Sequence, residues 1–97
     1  MKLRISKDAA SDLEEIWLYT AGRWSIALSD RLHADFRTKF ALLLRYPELG
    51  RRRDDLAPGF RGLSVENFII FYRVHEMILE VVRVVHGARN IKTLFGE

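Results

Sequence analysis

Cysteine is absent from the 97 residues. Without it there is no disulfide framework, no thiolate zinc site and no cysteine nucleophile, and a reducing cytosol is the expected setting. Proline occurs twice and glycine six times, which excludes collagen-like and low-complexity chains. No long apolar run exists: Val81-Val82 and Val84-Val85 are interrupted by Arg83, far short of the roughly 20 residues that span a bilayer. Met1-Lys2-Leu3-Arg4 leads directly into a charged segment without an apolar h-region, so neither a signal peptide nor a membrane association is expected, and the location should be cytoplasmic. Glycine-rich phosphate loops and the G-x-S-x-G elbow are missing, and with them the ordinary nucleotide-binding and hydrolase templates. His33, His75 and His86 lack metal-ligand spacing, so neither a metal nor a cofactor is expected.

The composition is one that packs: 48% hydrophobic and 30% charged residues in 11.3 kDa, enough for a single domain over residues 1–97. Basic residues outnumber acidic ones by 16 to 13, with twelve arginines against four lysines. The arginine bias matters more than the net charge. Guanidinium groups make planar bidentate contacts with phosphate and carboxylate, whereas +3 spread over a domain does not by itself establish nucleic-acid binding.

Residues 2–5 alternate apolar with charged and read as a short edge strand or lead-in. Ser6 offers an N-cap, and Ala9, Leu13, Ile16, Trp17, Thr20 and Trp24 come after it at helical spacing, which predicts a helix over 7–24. Leu28, Leu32, Phe36, Phe40, Leu43 and Leu44 predict a second over 26–46, stopped by Pro47. The short link between them requires an antiparallel hairpin. Residues 47–60 hold both prolines and read as a long surface connection. Three strands are expected over 61–65, 68–74 and 78–86, and their short gaps imply an antiparallel meander. The expected fold class is therefore α+β: an antiparallel two-helix hairpin packed on a three- to four-stranded antiparallel β-sheet.

Strict alternation puts Ile70, Tyr72, Val82 and Val84 on the helix-covered face with Leu13, Trp17, Leu32, Phe36 and Phe40. It leaves Ile69, Phe71, Arg73, Val81 and Arg83 on a face that two helices cannot cover. A partner would cover that face; the first strand, the C-terminal tail and homodimerisation are the other candidates. The remaining cluster comprises Arg61, Tyr72, Arg73, Arg83, His86 and Arg89. A histidine flanked by arginines could act as general acid or base on a phosphodiester. The alternative is inert: His86 caps a sheet edge while the arginines pair with Glu48, Asp54, Asp55 and Glu80.

Five stretches in order carry a resemblance over nearly the whole chain: Leu13-Glu14-Glu15-Ile16-Trp17 with Arg23-Trp24, Pro47-Glu48-Leu49-Gly50-Arg51, Pro58-Gly59-Phe60-Arg61, Ile70-Phe71-Tyr72-Arg73-Val74, and Arg83-Val84-Val85-His86-Gly87-Ala88-Arg89. Together they resemble the ParE toxins of the RelE/ParE toxin–antitoxin superfamily. The resemblance implies a small bacterial cytosolic toxin that inhibits DNA gyrase and forms a hetero-oligomer with a cognate ParD-like antitoxin. That antitoxin's C-terminal segment would wrap the toxin over Ile69, Phe71 or Val81, and the toxin would reach DNA only through it. The RelE branch instead cleaves mRNA on the ribosome. Its members carry an arginine three residues before the tyrosine matching Tyr72, where this chain has Ile69. They commonly end the last strand on an aromatic residue, where this chain has His86-Gly87. A gyrase-binding toxin would use Arg61, Arg73, Arg83 and Arg89, with His86 and Lys92 supporting; an RNase would use His86, Arg83 and Arg73.

Overall fold

A computed structural model describes residues 1–87 and 91–95, with residues 92 and 93 described by backbone alone. The helices form for the local reasons read from the sequence. Ser6 accepts a hydrogen bond from the Ala9 amide at 3.0 Å and opens α1 (Lys7–Arg23), with Asp8 in the first turn, where its charge suits the helix dipole. Ser25 caps α2 (Ile26–Arg45) in the same way through the Leu28 amide, and the helix ends ahead of Pro47. A fully buried serine, Ser29, lets the two helices approach, and its hydroxyl donates to the Trp17 carbonyl at 2.9 Å.

The sheet has five strands in the order β1-β5-β4-β3-β2. These are β1 (Lys2–Ile5), β2 (Arg51–Arg52), β3 (Arg61–Val65), β4 (Phe68–His75) and β5 (Ile78–His86), after which comes a short helix α3 (Ile91–Leu94). This topology differs from the sequence reading in two respects. The sheet is mixed, because β1 pairs with β5 in parallel, Lys2 opposite Ile78 and Ile5 opposite Val81. No turn links those two strands, so nothing forces the antiparallel pairing that a hairpin imposes. The 47–60 connection also contains β2, which pairs antiparallel with β3; two residues are too few to show alternation.

A third difference lies in which side chains face the helices. Phe71 lies opposite Arg83 while Tyr72 lies opposite Val81, so β5 carries one extra residue, a β-bulge. The bulge shifts the alternation of β5. Leu79, Val81 and Val84 therefore join Ile70 and Tyr72 beneath Ala9, Phe36, Phe40 and Leu43, whereas Val82 turns to the opposite face. Each large apolar side chain sealed in this layer contributes about 1.5–3 kcal/mol relative to exposure.

The face expected to be open is largely covered by the chain itself. Phe71 and Val85 are buried beneath Leu56 and Phe60 from the 47–60 connection, with Ile91, Leu94 and Phe95 packed against them. The rings of Phe60 and Phe71 each meet Phe95 edge-on at 5.4 and 5.3 Å. Of the proposed antitoxin contacts, Phe71 and Val81 are fully buried and Ile69 is half-buried.

Candidate functional site

The first polar constellation lies beside the bulge in β5. β1 pairs with β5 only as far as Val81, and just beyond it the Val82 carbonyl and the Val84 amide are met by side chains. The Ser6 hydroxyl donates to that carbonyl at 2.8 Å, and Asp12 of α1 accepts from that amide at 3.0 Å. Asp12, buried at 8% exposure, also receives Arg83 on its carboxylate in a two-pronged pair at 2.7 and 2.9 Å. These bonds hold the Arg83 guanidinium above its ordinary pKa. Arg83 was expected on one face with Arg73, and its register opposite Phe71 agrees. Its side chain nevertheless reaches Asp12 of α1, where its donors are spent on the fold.

A second constellation surrounds Tyr72. Its side chain is fully buried; the hydroxyl donates to the Pro47 carbonyl at 2.7 Å and accepts from the Gly50 amide at 2.8 Å. Burial pushes the phenol pKa up, partly opposed by the Gly50 amide and the Arg61 charge. Arg61 Nη1 donates to the Glu48 and Gly50 carbonyls at 3.2 and 2.9 Å. Tyr72 and Arg61 together fasten residues 47–50 to the sheet, a role that the spacing of the sequence does not reveal.

Arg73 stands on the opposite face, half-exposed, its guanidinium 5.8 Å from the Phe60 ring centre and 3.0 Å from Glu80. Glu80 also faces Arg4 at 3.4 Å. Beside them Arg52 meets Asp54 and Arg53 meets Asp55, each at 3.0 Å. The Gly59 amide and Arg52 hold the Asp54 carboxyl below its usual pKa. Of the inert pairing considered from sequence, Arg73–Glu80 is present, whereas Asp54 and Asp55 pair with Arg52 and Arg53.

His86 lies at the other end of the sheet. It is exposed and opposite Phe68 in register, with the two rings 5.5 Å apart. Arg73 is five residues further along β4, roughly 17 Å away at strand spacing. His86, Arg73 and Arg83 are therefore not brought together. Arg89 and the side chain of Lys92 fall outside the described residues.

His86 instead borders a groove of about 440 Å³ between the helix hairpin tip and the β3–β4 turn, lined by Tyr19, Trp24, Leu28, Leu32 and Phe68. Trp24 is 68% exposed and Leu28 39%. Both fit the apolar stripes of the sequence but project beyond the sheet that those stripes cover. Their continuity with true core positions is why periodicity did not separate them. Among the described residues no group of carboxylates and histidines has the spacing of a metal site, and no helix is long and apolar enough to cross a membrane.

Comparison with known proteins agrees with this geometry. The chain is 35% identical to Toxin ParE1 of Mycobacterium tuberculosis over 88 residues, 90% of each chain. It is 27% identical to Toxin ParE1 of Caulobacter vibrioides over 93 residues, 96% of each. A solved structure, the chromosomal ParDE TA system from P. aeruginosa, superposes with a TM-score of 0.77 at 23% identity, covering 89% of this chain and 95% of that one, a likeness of fold. The family described as the ParE toxin of type II toxin-antitoxin system, parDE, matches residues 3–91. With helix hairpin, bulged sheet and matching sequence over almost its full length, this chain belongs to the ParE toxin family.

Proposed function

We propose that this ParE toxin inhibits DNA gyrase by binding, breaks no bond itself, and is neutralised by a cognate ParD-like antitoxin. The observation that carries the reading is the separation of the residues that an RNase would use: His86 stands opposite Phe68, five residues along β4 from Arg73, and Arg83 is held by Asp12 through two bonds. A general acid or base works beside the groups that neutralise transition-state charge. The Tyr72 hydroxyl, committed to the Pro47 carbonyl and the Gly50 amide, is likewise bound into the fold.

The test is expression of the chain alone. A gyrase inhibitor arrests replication and induces the DNA-damage response before translation falls; an mRNA endonuclease stops translation first. His86→Ala separates the two again. The binding reading expects toxicity to persist, whereas loss of a general acid would lower cleavage roughly 10²–10⁴-fold. Arg73→Ala should keep the fold and weaken target binding by about 1–3 kcal/mol, the range of charge-assisted hydrogen bonds. Toxicity lost in His86→Ala while target binding persists would move the chain to the RNase branch.

Phe71 and Val81 are sealed inside, and the groove of Tyr19, Trp24 and Leu28 is an apolar surface open to the antitoxin. Anchors of interfaces are most often aromatic residues near the centre of the contact. Trp24→Glu is therefore expected to weaken antitoxin binding at least about tenfold in a titration, with toxicity in the absence of antitoxin retained. Unchanged affinity would place the antitoxin elsewhere.

A further inference from the structure

We propose that a groove across one end of the sheet binds the phosphodiester backbone of duplex DNA. Two adjoining hollows of about 430 and 290 Å³ share Gly59, Arg73 and Val74. The first also takes in Arg4 and Glu80; the second takes in Arg52 and Arg61. Four arginines thus converge from β1, β2, β3 and β4, and the side chains of Arg4, Arg73 and Arg52 are 67%, 52% and 73% exposed.

Arg4 and Arg52 come from opposite edges of the five-stranded order, about four strand spacings or 19 Å apart. No single phosphate or small carboxylate reaches both ends. An anion repeating along a chain does, and duplex DNA presents one negative charge per roughly 1.7 Å of axis. The carboxylates of the groove leave donors over: Arg4 and Arg52 each meet an acidic partner through Nε, and a guanidinium has five N–H groups. Phe60 and Tyr72, the phenyl and phenol of the lining, are buried. The exposed ring of the lining is the imidazole of His75, which stands beside Glu76; one such ring is not the row of stacking platforms that single-strand readers use, nor the buried aromatic anchor of a protein interface. Backbone recognition of a duplex needs neither.

The inference deepens the proposed function by adding a DNA contact to the target-binding residues Arg61 and Arg73, and it is tested separately from toxicity. Anisotropy of a labelled mixed-sequence duplex of about 20 base pairs, titrated with the full chain between about 50 and 200 mM NaCl, should show affinity falling steeply with salt. The slope of log affinity against log salt should be about −3.6, for four phosphate contacts on a duplex. Arg4→Ala and Arg52→Ala should each flatten the slope by about one, while Arg37→Ala on the outer surface of α2 leaves it unchanged. Circular dichroism would confirm that each variant is folded, and the two edge positions serve as independent tests. No duplex binding at the lowest salt overturns the proposal. So does a slope that neither edge variant alters, an equal loss in Arg37→Ala, or binding to single-stranded RNA alone. A chain that inhibits gyrase yet fails here loses this inference and keeps the proposed function; one that binds DNA but leaves gyrase untouched does the reverse.

Discussion

Asp12→Ala is expected to cost the fold about 3–5 kcal/mol, the range for removing one partner of a buried ion pair. Three donors lose their acceptor at once: two nitrogens of Arg83 and the Val84 amide. The Arg83 side chain, 19% exposed, would be left with its charge uncompensated in the space where α1 meets the bulge. For a domain of this length each kcal/mol moves the melting temperature by about 4–8 °C, so thermal unfolding should fall by at least ~12 °C. Arg83→Ala should be severe for the reciprocal reason, and any loss of toxicity in it must be read against its folded fraction. Arg73→Ala provides the contrast, since an exposed arginine beside other charges changes stability by about 0.5 kcal/mol or less. If Asp12→Ala melts within a few degrees of the parent, the carboxylate is dispensable to the bulge and this account of Arg83 is wrong.

Tyr72→Phe should be the second large effect, about 2–4 kcal/mol, because it leaves the Pro47 carbonyl and the Gly50 amide without their buried partner, at about 1–3 kcal/mol each. Gly50→Ala attacks the same contact from the other side. A β-carbon at Gly50 would lie 2.6 Å from both Cε1 and the hydroxyl oxygen of Tyr72, too close for either to stay in place. Both variants should loosen residues 47–50, which would appear as proteolysis within that loop before global unfolding.

The tyrosine also sets an alkaline limit. Its pKa is raised in the folded chain, chiefly by burial, so the unfolded chain gives up this proton first, near the ordinary tyrosine value of about 10. The stabilisation is complete below that pH and is lost as pH rises from there through the folded value. Denaturant midpoints measured across this window should fall in the parent and fall less in Tyr72→Phe. Equal slopes would mean that another group sets the limit.

Local chemistry in the sequence determined both helices and most strand boundaries. Ser6 and Ser25 each cap the helix on their C-terminal side, Pro47 cannot continue a helix, and period-two alternation over residues 61–86 has no helical reading. Five ordered stretches also carried the family resemblance. Tertiary structure alone decided the rest. One extra residue in β5 reversed the faces of Val81 and Val82, and the packing of α1 against β5 set Arg83 beside Asp12, 71 positions earlier in the chain. A bulge arises from pairing between strands, so a period counted along one strand cannot register it. The parallel placement of β1 and the gathering of Arg4 with Arg73 around Glu80 depend on contacts between opposite ends of the chain. Spacing in sequence carries no information about such contacts until the helix hairpin has folded the chain back on itself.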